Sequence, residues 1–334
     1  MHLAKSYSIV GYQRLVTELG QNPVALVRSV GFLPSQFNGA DLFVSYNKLA
    51  ELLELTAIKC RQPLFGLLLT QHQPLEALGP LPLFAAQSQT IGDALTKVSS
   101  ALYLQASGVH VRQISAGDNT QVVLDFDIST PLGITQMKLL SVGHLCNFLA
   151  EITGLPRYEF EISVSAPAPH LSDYGNSEYT QVHFDQPFCG ITLRTQQLNC
   201  QNRQYASAIS TSSKRYVEFL RAQFPTSLEE QVRQVASALL ASGDCSLEHV
   251  AASLDLHPRM LQLKLRKLDV SYTQIMRSIR QTLAEDHLRR KTMSVTDLAL
   301  NLGYADASIF STQFKAWTGL SPKQWQKTFC SDMV

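Results

Sequence analysis

The stretch SVTDLALNLGYADASIFSTQFKAWTGLSPKQWQ, Ser294 to Gln326, decides the fold of the chain's end. Val295, Leu298, Ala299 and Leu302 recur at the three- and four-residue spacing of a helix with one apolar stripe. Ser294 is placed to cap it, with Asp297 as the first-turn acid. Gly303 supplies a turn residue without a Cβ. Asp306 or Ser308 can then cap a second helix whose apolar positions are Ile309, Phe310, Phe314 and Trp317. Gly319 ends that helix, and Ser321-Pro322 starts another. Two short helices joined by a turn of three or four residues with a glycine form a helix-turn-helix, whose second helix enters the DNA major groove.

The same grammar recurs about fifty residues earlier. Ser246 to Leu254 reads as a capped short helix with Val250, Ala251 and Leu254 inward. Asp255-Leu256-His257 makes the turn, and Pro258 to Leu268 is the second helix, with proline in its first turn. Tyr272 to Arg290 joins the two units as one helix with Ile275, Ile279, Leu283 and Leu288 on one side. At 1.5 Å per residue it is roughly 28 Å long. Two recognition helices held about one DNA turn apart (~34 Å) can occupy successive major grooves on one face.

This pair of units, from Ser227 to Phe329, resembles the C-terminal DNA-binding domain of the AraC/XylS family of bacterial transcription regulators. The Leu-Gly-Tyr turn at 302–304 and the Phe-x-x-x-Phe-x-x-Trp-x-Gly-x-x-Pro run from Phe310 carry the likeness. The resemblance implies that the first unit offers Arg259, Gln262 and Leu263 to base edges, and the second Ala307, Ser308, Ser311 and Thr312. Arg pairs with guanine and Gln with adenine through two hydrogen bonds each. Leu263 and Thr312 depart from the arginines that many relatives carry there; Leu263 can touch a thymine methyl and Thr312 can make one hydrogen bond. Lys264, Lys267, Lys315 and Lys323 are the phosphate candidates.

Charge agrees with this division. From Arg259 to the end twelve Lys and Arg face six Asp and Glu, so the segment carries +6 while the whole chain carries +1 and the remainder −5. A basic end on a mildly acidic body suits phosphate contact at that end. The charged fraction is low at 16% and the hydrophobic fraction, 45%, suffices for real cores. The start of the chain lacks a signal-like apolar core, and no apolar run approaches the ~20 residues of a membrane span. The six cysteines are scattered without Cys-x-x-Cys spacing, which suggests reduced, mostly buried thiols in a cytoplasm. A DNA-repair relative in the family holds clustered metal-binding cysteines, and no such cluster occurs here. No metal and no cofactor are expected.

The preceding body changes period along its length. Tyr12–Leu19, Pro23–Val30, Tyr46–Cys60, an apolar run from Phe65 to Leu69, and Thr90 to about Ala106 read as helical segments. His110–Ile114 and Gln121–Asp127 alternate as strands around an Ala116–Asn119 turn. Gln136–Thr153 is a helix, Tyr158–Val164 a strand, and shorter strands fall near Tyr179–Phe184 and Gly190–Leu193. The expected architecture is an α+β domain of helices plus a small sheet over residues 1–224, for effector binding or dimerisation. An all-α domain follows over 225–334, with two helix-turn-helix units joined by a long helix; the boundary falls near Phe224-Pro225-Thr226. The run from Leu26 to Leu102, with its Phe-Gly-Leu and Thr-Ile-Gly-Asp-Ala-Leu turns, resembles the arabinose-binding-type N-terminal domain of one branch of the family, a name that does not make the ligand a sugar.

That resemblance implies a small-molecule effector, promoter DNA and RNA polymerase as partners, and a homodimer. Tyr103, Arg112, His144 and Phe148, polar or aromatic residues on expected buried faces, are the effector-site candidates. His170-Leu171-Ser172-Asp173 gathers triad residue types but lies in a proline-rich loop without a glycine elbow, so no enzyme is expected. His110, His144 and His183 have no ligand-pair spacing and read as structural. The reading is a cytoplasmic transcription activator gated by an effector. Its rivals are a regulator controlled by a partner protein or by abundance, and an enzyme fused to a DNA-targeting domain.

Overall fold

The computed structural model describes residues 2–37, 42–169, 181–205, 227–241, 243, 245–290 and 293–329. The chain forms two compact units, Met1–Phe224 and Pro225–Val334. The first is α+β and the second all-α.

In the first unit β1 (Leu3–Lys5) pairs antiparallel with β2 (Phe43–Ser45), with α1 (Tyr12–Glu18) and α2 (Pro23–Ser29) between them in the chain. Ser45 caps α3 (Tyr46–Cys60) by accepting from the Lys48 amide at 3.3 Å. Then come α4 (Phe65–Gln71), α5 (Leu81–Ala85) and α6 (Ile91–Ala101), the last capped by Thr90. The hairpin β3 (Val109–Ala116) and β4 (Asn119–Phe126) follows, turning at Gly117 with φ +65°. The long α7 (Thr135–Thr153), the strands β5 (Glu161–Ser163), β6 (Val182–His183) and β7 (Gly190–Arg194), and α8 (Thr195–Leu198) complete the unit. The larger sheet has order β3-β4-β7-β5-β6, antiparallel except for the parallel β5–β6 pair.

Helix α7 is apolar on most of its surface because it lies between two layers. Leu139, Val142, Cys146 and Leu149 join the core that also holds the sheet residues Val122, Ile162 and Ile191. Met137 and Leu140 join the core of α1 to α4. Helices α4 and α7 cross so closely that a Cβ on Gly66 would lie 2.2 Å from the Gln136 carbonyl oxygen, and one on Gly143 2.3 Å from Thr70 Oγ1. The first turn of α7 lacks a cap of its own. Glu54 of α3 fills that need, accepting from the Gln136 amide at 2.6 Å. Gln136 in turn accepts from the Gly66 amide at 3.0 Å and donates to the Pro63 carbonyl at 2.9 Å, so one polar network ties α3, α4 and α7.

Two elements differ from the sequence expectation. The segment expected as a strand from Tyr158 to Val164 begins as a 3-10 turn, Arg157–Glu159, set by Pro156, and only Glu161–Ser163 pair. The helix expected to reach Ala106 ends at Ala101 and tightens into a 3-10 turn over Leu102–Leu104. The polar run Ser207–Ser213, read from the sequence as a surface segment, and Tyr216–Leu220, read as helix, lie outside the described residues.

The second unit comprises α9 (Leu228–Ala241), α10 (Leu247–Ser253), α11 (Pro258–Arg266), α12 (Tyr272–Arg290), α13 (Val295–Asn301), α14 (Ala307–Thr318) and α15 (Pro322–Phe329). Helix α12 is the spine: α9 and α13 pack on it, and so does α15. Its buried residues Ile275, Met276, Ile279, Ala284 and Leu288 continue one inward stripe. No described helix in either unit is long and apolar enough to cross a membrane.

Candidate nucleic-acid interface and effector cavity

Each helix-turn-helix is set by its caps. Ser246 accepts from the His249 amide at 3.1 Å to start α10, and His257 Nδ1 accepts from the Arg259 amide at 3.3 Å to start α11. Between them Asp255 takes a left-handed φ of +55°. In the second unit Ser294 starts α13, and Gly303 turns the chain at φ +77°. Asp306, rather than Ser308, caps α14, its carboxylate accepting from the Ser308 and Ile309 amides at 2.8 Å each. A carboxylate at that end also meets the positive pole of the helix. Arg280 of α12 locks this second turn, donating to the Leu302 carbonyl at 3.0 Å beneath the Tyr304 ring.

The buried residues of α11 are Leu261 and Leu265, those of α14 Phe310 and Phe314. At 3.6 residues per turn Leu263 therefore stands directly opposite the buried seam of α11, 43% exposed, with Arg259 and Lys267 to either side. Gln262 and Lys264 are exposed on its flanks. Gln262 borders a cleft of about 450 Å³ shared with Arg266 and the first turn of α12. Met260 and Arg266 share the exposed part of this helix and were not singled out from the sequence, although the helical period places them there.

On α14, Thr312 and Ser308 face outward with Lys315 beside them, whereas Ala307 and Ser311 are half-buried. Both hydroxyls turn back on the helix: Ser311 donates to the Ala307 carbonyl at 2.6 Å and Thr312 to the Ser308 carbonyl at 3.0 Å. They keep acceptor lone pairs for a base or a water. Ile309, one of the apolar positions of this helix, is 47% exposed. The adjacent Phe310 takes the buried position, and one residue on a helix is a rotation of about 100°. Lys323 is exposed on α15. Arg259, Lys264, Lys267, Lys315 and Lys323 form no ion pair among the described residues, whereas Arg290 is held by Asp286 at 2.9 Å.

The first unit contains a cavity of about 90 Å³ among α3, α6, β3, β4 and α7. Of the four effector candidates, His144 and Phe148 line it. Tyr103 and Arg112 do not, and the expectation that they face inward is corrected. In strand β3 the inward residues are Val109 and Val111, so Arg112 points out and pairs with Asp125 on the surface. In the 3-10 turn Leu102 and Leu104 pack inward and Tyr103 is exposed. Gln105, Tyr46 and Ser141 line the cavity and were missed. Their places depend on the packing of α3, α6 and α7, which no local pattern encodes.

His144 Nε2 lies 2.6 Å from Gln73 Oε1. The Gln73 amide nitrogen donates to the carbonyls of Ser8 and Val10, so its oxygen accepts and His144 carries the proton on Nε2. Burial pushes the His144 imidazole down to about 4. The native unit therefore binds fewer protons than the unfolded chain between the ordinary histidine value and about 4, and stability is lost as pH falls through that window. The expected loss is about 2 kcal/mol at pH 5 relative to pH 7. Burial raises the Glu54 carboxyl and works in the opposite sense, so the check is the difference between wild type and His144→Gln in urea unfolding at the two pH values. The variant should lose the acid sensitivity; parallel curves would remove His144 as its cause.

Among the described residues no three His, Cys, Asp or Glu side chains gather as a metal site. Cys146 and Cys189 are buried and Cys60 and Cys245 half-buried, whereas Cys200 is exposed; all five are free thiols. His110 meets Asp127 on the surface at 2.7 Å, and His183 is exposed. The His170–Asp173 run lies outside the described residues.

Comparison with known proteins places these features in a family. A model described as the arabinose-binding domain of AraC transcription regulator, N-terminal, matches residues 20–202, and a helix-turn-helix domain model matches 250–328. The HTH-type transcriptional regulator VirS of Mycobacterium tuberculosis is 25% identical over 332 residues, covering 97% of this chain and 96% of its own. The ornithine utilization regulator of Pseudomonas aeruginosa is 25% identical over 321 residues, covering 94% and 93%. Among solved structures, the transcriptional regulator CdpR from Pseudomonas aeruginosa aligns over 91% of this chain and 96% of its own, with 19% identity and a TM-score of 0.41.

Proposed function

The chain belongs to the AraC family of transcription regulators with an arabinose-binding-type N-terminal domain, and from that premise we propose an activator whose hold on promoter DNA is set by a small molecule in the first unit. It is a DNA-binding transcription regulator; its relatives are regulators, and nothing in their names is enzymatic. The observation that carries the proposal is the pair of exposed helices α11 and α14 on either side of the 19-residue α12. In this reading residues 1–224 bind effector or form a homodimer, residues 225–334 read DNA, and RNA polymerase is the downstream partner in the cytoplasm. The effector acts by binding the DNA-competent arrangement more tightly than the other.

Arg259, Gln262 and Leu263 are the base-reading set of the first helix, and Ala307, Ser308, Ser311 and Thr312 that of the second. Lys264, Lys267, Lys315 and Lys323 hold phosphate. The uncharged, short side chains on α14 favour a division in which α11 carries more direct readout and α14 more of the positioning and shape recognition. The test is duplex binding to DNA from upstream of the protein's own gene, with and without a metabolite extract. Arg259→Ala and Gln262→Ala are each expected to weaken specific binding by about 1–3 kcal/mol while non-specific binding falls far less. Equal loss of both kinds would remove the base-reading role. Specific binding that ignores the extract would favour control by a partner protein or by abundance.

A further inference from the structure

Beyond the family reading, the cavity of the first unit carries information about what enters it. No Asp, Glu, Lys or Arg is among its lining residues. Most of the wall is aliphatic or aromatic, as at Val98, Leu124, Leu140 and Phe148. A sugar would bring many hydroxyls to a wall with few partners for them, and a charged molecule would be buried without a counter-ion.

Most polar groups of the wall already have partners within the protein. The Tyr46 hydroxyl is bonded to Ser141, and His144 donates to Gln73. Gln105 is different. Its amide nitrogen donates to the Ala77 carbonyl at 3.0 Å, which fixes the amide orientation, since a carbonyl must face the nitrogen. Its Oε1 has no hydrogen-bond partner, but it is closed off from the cavity and lies against Gly79, where a Cβ would come within 2.3 Å of it. The wall therefore offers an occupant apolar surface and few polar groups.

We propose that the effector is a small uncharged, mainly apolar molecule held in this cavity by apolar contact. This rests on the effector-gated reading and names the ligand class for it. The volume, about 90 Å³, is smaller than the ~150 Å³ cavity known to take benzene, so the part of an occupant enclosed there has on the order of four or five heavy atoms. The low pKa of His144 agrees with a wall that stays neutral at physiological pH. Arabinose fits neither the size nor the chemistry.

The experiment is calorimetric titration of the purified full chain with four probes: 1-butanol, its isomer methyl propyl ether, butyrate and arabinose. The expected result is saturable binding of 1-butanol and of the ether, and none of butyrate or arabinose. Ala106→Leu, which fills the cavity, should abolish butanol binding. Val98→Phe, which fills the same cavity from α6, should do the same and keeps the test alive if the first variant does not fold. Saturable binding of butyrate or arabinose, lost in the filled variant, would overturn the ligand class and leave gating intact. No binding by any probe would overturn the proposal. Duplex binding with a metabolite extract, run on the same preparation, separates the two ideas. If the extract alters DNA affinity while no probe binds, gating stands without this ligand class. If butanol fills the cavity and DNA affinity ignores both butanol and extract, the ligand class stands and gating falls.

Discussion

Replacing Phe314 by alanine is expected to cost about 3–5 kcal/mol of the stability of the second unit and to abolish specific DNA binding. Phe314 is fully buried, and its ring sits 5.6 Å from Phe310, 6.4 Å from Trp317 and 6.1 Å from Trp325, so it joins α14 to α15. Tyr304 of the turn packs on the same cluster at 5.6 Å from Phe310. Such pairs are worth about 0.5–1.5 kcal/mol each beyond their buried area. The cavity left by alanine is walled by rigid rings and helix backbone, which collapse poorly. Small domains have only about 5–15 kcal/mol in hand, so the recognition helix would lose its fixed orientation. The measurement is direct because Trp317 and Trp325 are the two tryptophans of the chain and both lie in this cluster. Tryptophan emission in urea reports this unit apart from the first. A midpoint shift worth less than about 1 kcal/mol would mean that the ring cluster is not the core of the second helix-turn-helix.

The features legible in the sequence are those whose causes are local. Ser294, Gly303, Asp306 and Gly319 act within a few residues of where they stand, as caps and left-handed turns, and the second helix-turn-helix follows from them. The 19 residues of α12 came from period alone. The sheet order was not legible. Asn119 pairs with Arg194 and Glu161 with Thr192, contacts between distant segments, and β5 has only three residues to carry a pattern. The effector-site errors have the same origin. Arg112 and Val111 are neighbours in a strand, and choosing which faces inward requires knowing what lies on each side of the sheet. Gln105 follows a helix that ends earlier than its apolar spacing implies, and it acquires its meaning only from the Ala77 carbonyl and the cavity beside it. Ile309 and Phe310 show the same limit: two adjacent apolar residues cannot share a helix face, and the aromatic one takes the core.

If Lys264, Lys267, Lys315 and Lys323 each neutralise one phosphate, the logarithm of the DNA association constant should fall against the logarithm of salt with a slope near −3.6, at about −0.9 per contact. Between 50 and 200 mM salt that is a loss of about 150-fold, steeper if Arg259 or Arg266 also touches the backbone. The unit's other cations need not contribute alike. Arg280 is committed to the Leu302 carbonyl and the Tyr304 ring, and Arg290 to Asp286, so releasing them to phosphate would cost contacts already made. The four lysines make no such commitment among the described residues and are exposed. Lys267→Gln should therefore reduce the slope by about 0.9 and leave the urea midpoint of the tryptophan signal in place. Arg280→Gln should do the reverse, lowering the midpoint while the slope at a stabilising temperature stays close to wild type. Should the quadruple lysine-to-glutamine variant keep the wild-type slope, phosphate contact would have to lie elsewhere on the unit, with Arg259 and Arg266 of α11 as the cations next to be tested.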